Sequence, residues 1–252
     1  MVGLVNVETS IALIAAPLVG SFLGLVIDRL PRGRPIVAGR SVCENCGRNL
    51  RWLDLIPLLS FFLWRGRCRI CKSRLTIFYP IIELAAVGVV VSAALVLSGK
   101  LFWVSIGLGW LLLVLAVIDH RHLILPDGLT LPLIPAGLGV AFLIDPAMLD
   151  AHLIGGLVGL FAFALIAWLY QTARGREGLG MGDAKLLAGA GAWLGWAALP
   201  GVVLLAAVSA LSLGVVRLVT GGRFDVNGEI PFGPHLALSF WASWLLGPLM
   251  LA

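Results

Sequence analysis

Charge is scarce in this chain. Lys, Arg, Asp and Glu together supply 12% of its 252 residues, where a soluble domain carries about 25%. Hydrophobic residues supply 60% and mean hydropathy is +1.03. That shortage excludes a soluble fold with one anchor and predicts an all-α polytopic membrane protein. Other things are missing too. There is no P-loop, no outstanding Ser–His pair, no soluble glycine-rich cofactor fold, no internal repeat and no low-complexity tract. The N-terminus lacks a basic leader region, and Asp28 and Arg29 follow its apolar core, so it reads as a retained first helix. Net charge is +5, but no aromatic-and-basic platform accompanies it, so nucleic acid is not an expected partner. The positive charge is expected to hold loops on one side and to face anionic headgroups.

What is abundant is apolar run. A helix needs roughly 20 apolar residues to cross the hydrocarbon, and about eight candidate spans lie near 9–28, 78–98, 101–118, 129–145, 151–170, 185–199, 200–217 and 233–251. The sixth is short and reads as tilted, bundle-buried or partly re-entrant. Leu199-Pro200-Gly201 reads as the turn that separates it from the seventh. Basic residues fall into alternate loops: eleven of the 18 lie between Arg29 and Arg74, and only Lys100 falls on the other side. The positive-inside rule then places 29–77 in the cytoplasm and both termini outside.

All four cysteines sit in that loop, as Cys43-x2-Cys46 and Cys68-x2-Cys71. Two residues between cysteines let both sulfurs turn to one point, and two such knuckles supply four thiolates for tetrahedral Zn²⁺. The intervening 47–67 segment is slightly longer than a usual zinc ribbon. Redox use and unpaired thiols are the alternatives, and structural disulfides are disfavoured in a reducing compartment. A four-cysteine site has no open position, so the expected role is to fold a loop that lacks its own core. Trp52, Leu53, Ile56, Pro57, Leu58 and Leu59 are expected on the membrane face or the helix ends.

Among 13 acidic residues, five stand out. Asp119 ends the third span and Asp183 begins the sixth, so both are expected at the same, cytoplasmic face. Ionisable groups at that depth are costly and are functional candidates by default. Two carboxylates brought close cannot easily ionise together, so one keeps a proton while the other stays charged. Such a pair activates water and polarises a carbonyl without metal or nucleophilic serine. Gly180 and Gly182 are expected to allow turn dihedrals and close approach to Asp183. The milder readings are an N-cap for Asp183 and a pairing of Asp119 with Arg121 or a histidine. Asp127, in Leu125-Pro126-Asp127-Gly128, reads as a turn and cap. Glu83 is open between orienting the pair, binding a substrate amine and pairing with an arginine. Asp28 reads as an ion pair with Arg29. His120 and His122 read as interfacial, since residues two apart on a helix share no face.

Taken together, these residues resemble the type IV prepilin peptidase family over nearly the whole chain. Gly20-Ser21-Phe22-Leu23 with Arg29-Leu30-Pro31, the two cysteine knuckles, Asp54-Leu55-Ile56-Pro57-Leu58-Leu59-Ser60, Gly66-Arg67-Cys68 and Tyr79-Pro80-Ile81-Ile82-Glu83-Leu84 carry the likeness. So do Asp119 with Leu125-Pro126-Asp127, Gly180-Met181-Gly182-Asp183, and Pro231-Phe232-Gly233-Pro234. Two departures stand at Glu44, where proline is common, and His235, where an aromatic is common.

The resemblance implies cleavage of a short basic leader from prepilins or pseudopilins at the cytoplasmic face of a bacterial inner membrane. In many members S-adenosylmethionine-dependent methylation of the new N-terminus follows. It implies Asp119 and Asp183 as catalytic residues and Cys43, Cys46, Cys68 and Cys71 as metal ligands. It leaves the methyl-transfer residues unassigned and a peptidase without methylation as an alternative. The expected organisation is a first helix over 1–30, a zinc-binding domain over 31–77 and a peptidase bundle over 78–252. A proton-coupled transporter would use the same carboxylates with acids spread through the membrane depth. A zinc-ribbon adaptor would tolerate loss of both aspartates.

Overall fold

The computed structural model describes residues 6–36, 42–43, 45–49, 54, 56–175, 180–220 and 231–250. The expectations for Glu44, Trp52 and Leu53 fall outside these. Each predicted apolar run is a helix: α1 Val7–Arg29, α3 Phe78–Ala94, α4 Gly99–His122, α5 Asp127–Ile144, α6 Leu149–Arg174, α7 Met181–Leu194, α8 Leu199–Val219 and α9 Gly233–Met250. A short α2, Leu59–Leu63, lies in the loop after α1. Among the described residues, five stretches are long and apolar enough to cross a membrane: Val7–Arg32, Gly99–His122, Asp127–Ile144, Pro146–Ala173 and Trp196–Val216. α3 is apolar but has 17 residues.

The chain divides into two compact units, Met1–Val114 and Leu115–Ala252. In the first, α1 packs on α3 through small residues. A Cβ on Gly20 would stand 2.6 Å from Glu83 Cα, and one on Gly24 would stand 2.8 Å from the Tyr79 ring. Asp28 forms its ion pair one turn away with Arg32, not with Arg29. Residues four apart share a helix face, whereas adjacent residues do not.

In the second unit α7 is the central element. Its 14 residues span about 21 Å at 1.5 Å per residue, less than the roughly 30 Å of hydrocarbon. Ala184 and the run 186–193 are buried. The helix is therefore packed within the bundle, one of the three expectations for the short sixth run. It stops at Gly195, whose φ of 79° breaks the helical path, and a 3-10 turn over Trp196–Ala198 follows. The break thus precedes Leu199-Pro200-Gly201. Pro200 sits inside the first turn of α8, where its missing N–H costs nothing.

Glycine lets α7 reach α6. A Cβ on Gly191 would lie 2.1 Å from the Gly155 carbonyl oxygen, and one on Gly159 would lie 2.6 Å from that of Leu187. Without a hydrophobic drive between helices in lipid, such backbone approach supplies much of the association energy. On the α5 side, Trp193 Nε1 donates to the Leu133 carbonyl at 2.9 Å, over Gly137. Gly191→Ala is expected to cost about 1–3 kcal/mol through forced separation of two backbones. The check is the unfolding midpoint in detergent beside Gly139→Ala, whose added methyl meets open space.

Candidate active site

Asp119 lies one turn before the end of α4. Leu123, with φ of 54°, turns the chain out of the helix while its N–H still donates to the Asp119 carbonyl at 2.8 Å. A non-glycine residue in that region is uncommon, and it fixes the α4 terminus immediately beside the acid. Asp183 occupies the third position of α7, and Gly180 is the N-cap residue. The N-cap reading of Asp183 is therefore wrong: its carboxylate sits inside the first turn. Only its backbone N–H joins the turn, donating to the Gly180 carbonyl at 3.0 Å.

Both aspartates are buried, at 7% and 8% exposure, close enough for the charge of Asp119 to be felt at Asp183. Their surroundings differ. Asp119 Oδ2 accepts the backbone N–H of Gly233 at 3.0 Å, at the start of α9. Asp183 Oδ1 is buried with no hydrogen-bond partner among the described residues. Buried polar atoms are nearly always paired, so this oxygen marks a place where a polar group is to arrive.

The flanking loops lock the first turn of α7 in place. A Cβ on Gly182 would lie 2.7 Å from Leu125 Cβ, so this glycine admits the 123–126 loop against the helix start. Gly180 has ordinary space around it, and its φ of −72° is open to any residue. Neither glycine uses a left-handed conformation. Asp127 does not cap α5; Pro126 is the N-cap residue, and Asp127 pairs with Lys185 Nζ at 2.5 Å. That ion pair links the α5 start to α7 two residues after Asp183.

The other predicted site residues lie in the first unit. Cys43, Cys46, Cys68 and Cys71 have all four sulfurs within 4.8 Å of one another. The two knuckles repeat one turn. Cys43 N–H donates to the Arg48 carbonyl and Gly47 N–H to that of Cys43, while Cys68 N–H donates to the Ser73 carbonyl and Lys72 N–H to that of Cys68. The residue after each second cysteine is left-handed: Gly47 at φ 66° and Lys72 at φ 58°. The Ser73 hydroxyl, 3.0 Å from Cys71 Sγ, holds that thiol down at about 5. Cys43 and Cys71 sulfurs are 3.8 Å apart, the edge of a tetrahedron whose metal–sulfur bonds are about 2.3 Å.

Two matches with known proteins bear on this arrangement. Residues 14–97 match the Bacterial Peptidase A24 N-terminal domain and residues 106–215 match the Type IV leader peptidase family. A prepilin leader peptidase/N-methyltransferase of Burkholderia pseudomallei is 39% identical over 269 residues, covering 96% of this chain and 86% of the relative. The chain belongs to the type IV leader peptidase family. Proteins of the same description from Aeromonas hydrophila and Pseudomonas aeruginosa are each 34% identical, over 94% and 91% of this chain and 90% and 87% of theirs. No solved structure matches the chain.

Within this leader peptidase, Glu83 has no arginine at ion-pair distance among the described residues. It is 4% exposed and its Oε2 accepts the Leu58 N–H at 2.8 Å. Leu58 has φ of 57° and ψ of −52°, and Leu59 N–H reaches back to the Pro57 carbonyl at 2.5 Å. This is a three-residue turn of a rare, strained kind, and a buried carboxylate holds its central amide. Sequence reasoning missed Gly233, Leu125 and Lys185 as neighbours of the aspartates. The Pro231-Phe232-Gly233-Pro234 motif was the available signal for the first of them.

Proposed function

We propose that this chain removes the short basic leader from prepilins or pseudopilins, with Asp119 and Asp183 as the catalytic pair, and then methylates the new N-terminal amine. The observation that carries the peptidase reading is the pair itself: two buried carboxylates, one anchored by Gly233 and one with a bare oxygen. Asp119 is held in a fixed orientation by a backbone donor. Asp183 keeps an oxygen free for water or a substrate carbonyl. One proton shared between them leaves a charged oxygen to take a proton from water and a protonated one to polarise the scissile carbonyl. The two ionisations then belong to the pair and not to either residue.

The wider arrangement follows. The apolar helices are embedded in the bacterial inner membrane, with the 31–77 loop and both aspartates at the cytoplasmic face. On this reading the first helix, 1–30, and the loop domain precede a peptidase bundle over 78–252. A prepilin carries an apolar helix after its leader, so its cleavage point reaches that face from within the bilayer. Gly180 and Gly182 shape the approach to Asp183, and Glu83 shapes the 54–60 segment. S-adenosylmethionine is the methyl donor, a second substrate that supplies an electrophilic methyl group.

Cys43, Cys46, Cys68 and Cys71 hold a structural zinc ion, supported by their mutual spacing and by the paired knuckle turns. Purified protein is expected to contain one zinc per chain by elemental mass analysis, and Cys46→Ser to lose it. Full zinc retention in that variant would remove the four-thiolate assignment. The activity is tested by incubating the purified chain in liposomes with a prepilin, with and without S-adenosylmethionine, and reading intact mass. Leader loss in both samples and one added methyl only with the donor are expected. An unchanged prepilin mass would contradict the reading.

A further inference from the structure

The four-cysteine loop carries an exposed surface that extends beyond its sulfurs. Along α2 and the turn after it, Leu59, Phe62, Leu63 and Ile70 stand outward, with Phe62 72% exposed. Large apolar side chains in such a group mark an interaction surface. Cations surround them. Leu63, Trp64, Arg65, Arg67, Arg69 and Lys72, together with Cys68, line a hollow of about 620 Å³, and all four cations are exposed. Among the described residues, none of these four has a carboxylate at ion-pair distance. The Arg69 guanidinium lies 4.9 Å over the Trp64 ring, which stiffens the patch.

Apolar tips beside unpaired cations and a tryptophan are the composition of a membrane-interface surface. The loop is also tethered next to a bilayer: α1, just before it, lies in a stretch long and apolar enough to span one. We infer that the face formed by Leu59, Phe62, Leu63, Arg65, Arg69 and Lys72 docks on anionic lipid headgroups, with the apolar tips inserted and the cations on phosphate. The sign of the charge favours this occupant over a basic peptide. Docking would hold the loop against the membrane surface independently of any substrate.

The test is backbone hydrogen exchange over 59–72 in the full-length protein. It compares liposomes of mixed phosphatidylglycerol and phosphatidylcholine with liposomes of phosphatidylcholine alone. Exchange is expected to be slower in the anionic liposomes on the order of tenfold, since each basic residue near a charged surface adds to the attraction. High salt should remove the difference, as should the combined variant R65Q/R69Q/K72Q with helix content unchanged. Equal exchange in the two lipids, or protection that survives in the variant, would overturn the inference. Protection by soluble glycerol phosphate in phosphatidylcholine liposomes would overturn it too, by making the hollow a small-anion site.

Discussion

Asp183→Asn is expected to abolish leader removal, lowering the rate at least about a thousandfold, and Asp119→Asn to do the same. An amide of equal size preserves the packing around both positions. What it removes is the ability to hold or release a proton, which general acid–base chemistry requires. On the proposed reading, binding of the prepilin should persist, because the substitution leaves the shape of the site intact. The loss therefore falls on kcat and leaves KM nearly unchanged. Stability separates this from misfolding. Asp183 already carries an unpaired buried oxygen, so removing its charge should leave the unfolding midpoint equal or higher. Cleavage by mass spectrometry and unfolding in detergent, done on the same preparations, check both halves of the expectation.

The second large effect is expected at Gly233. A Cβ there would stand 2.6 Å from Asp119 Oδ2 and 2.8 Å from its Cγ. Alanine must push the carboxylate aside or draw the start of α9 away, and either loosens the 3.0 Å hydrogen bond that orients it. A misplacement of about 1 Å costs about a hundredfold in rate. Gly233→Ala should thus lose about a hundredfold in kcat while it still binds substrate. Gly180→Ala, whose Cβ would sit 3.8 Å from Asp183 Oδ2 in ordinary contact, should lose far less. Equal losses at the two glycines would mean that crowding at Asp119 is not the cause.

Much of the helical plan was legible because long apolar runs have few alternatives. The run near 101–118 is α4 and the run near 151–170 is α6, each extended by a few residues at its ends. Most residues of the extensions are polar or charged and continue the helix beyond the apolar core. The break between α7 and α8 was harder to read. Proline was taken as the stop, but Gly195 stops the chain by adopting a conformation that other residues resist. Composition cannot tell a glycine that packs, such as Gly191, from one that turns.

At the site, Asp119 and Asp183 were readable as a candidate pair because each marks the end of an apolar run on one predicted side. Their partners were not. The Gly233 bond is a backbone contact between distant segments and leaves no trace in side-chain type. Asp127 is of a type common at helix starts and Lys185 has no marked sequence context, so only the fold shows that they meet. Glu83 had three readings because its partner is the main-chain N–H of Leu58, which no pattern of charges announces.

One measurement tests the central claim most directly. Single-turnover cleavage rates of one prepilin would be taken for wild type, Asp119→Asn, Asp183→Asn and the double variant. Two carboxylates sharing one proton act as a unit, so removing the second should cost almost nothing once the first is gone. The account predicts a double variant no slower than the slower single one. Losses that multiply would show two independent contributions and contradict a shared aspartyl pair.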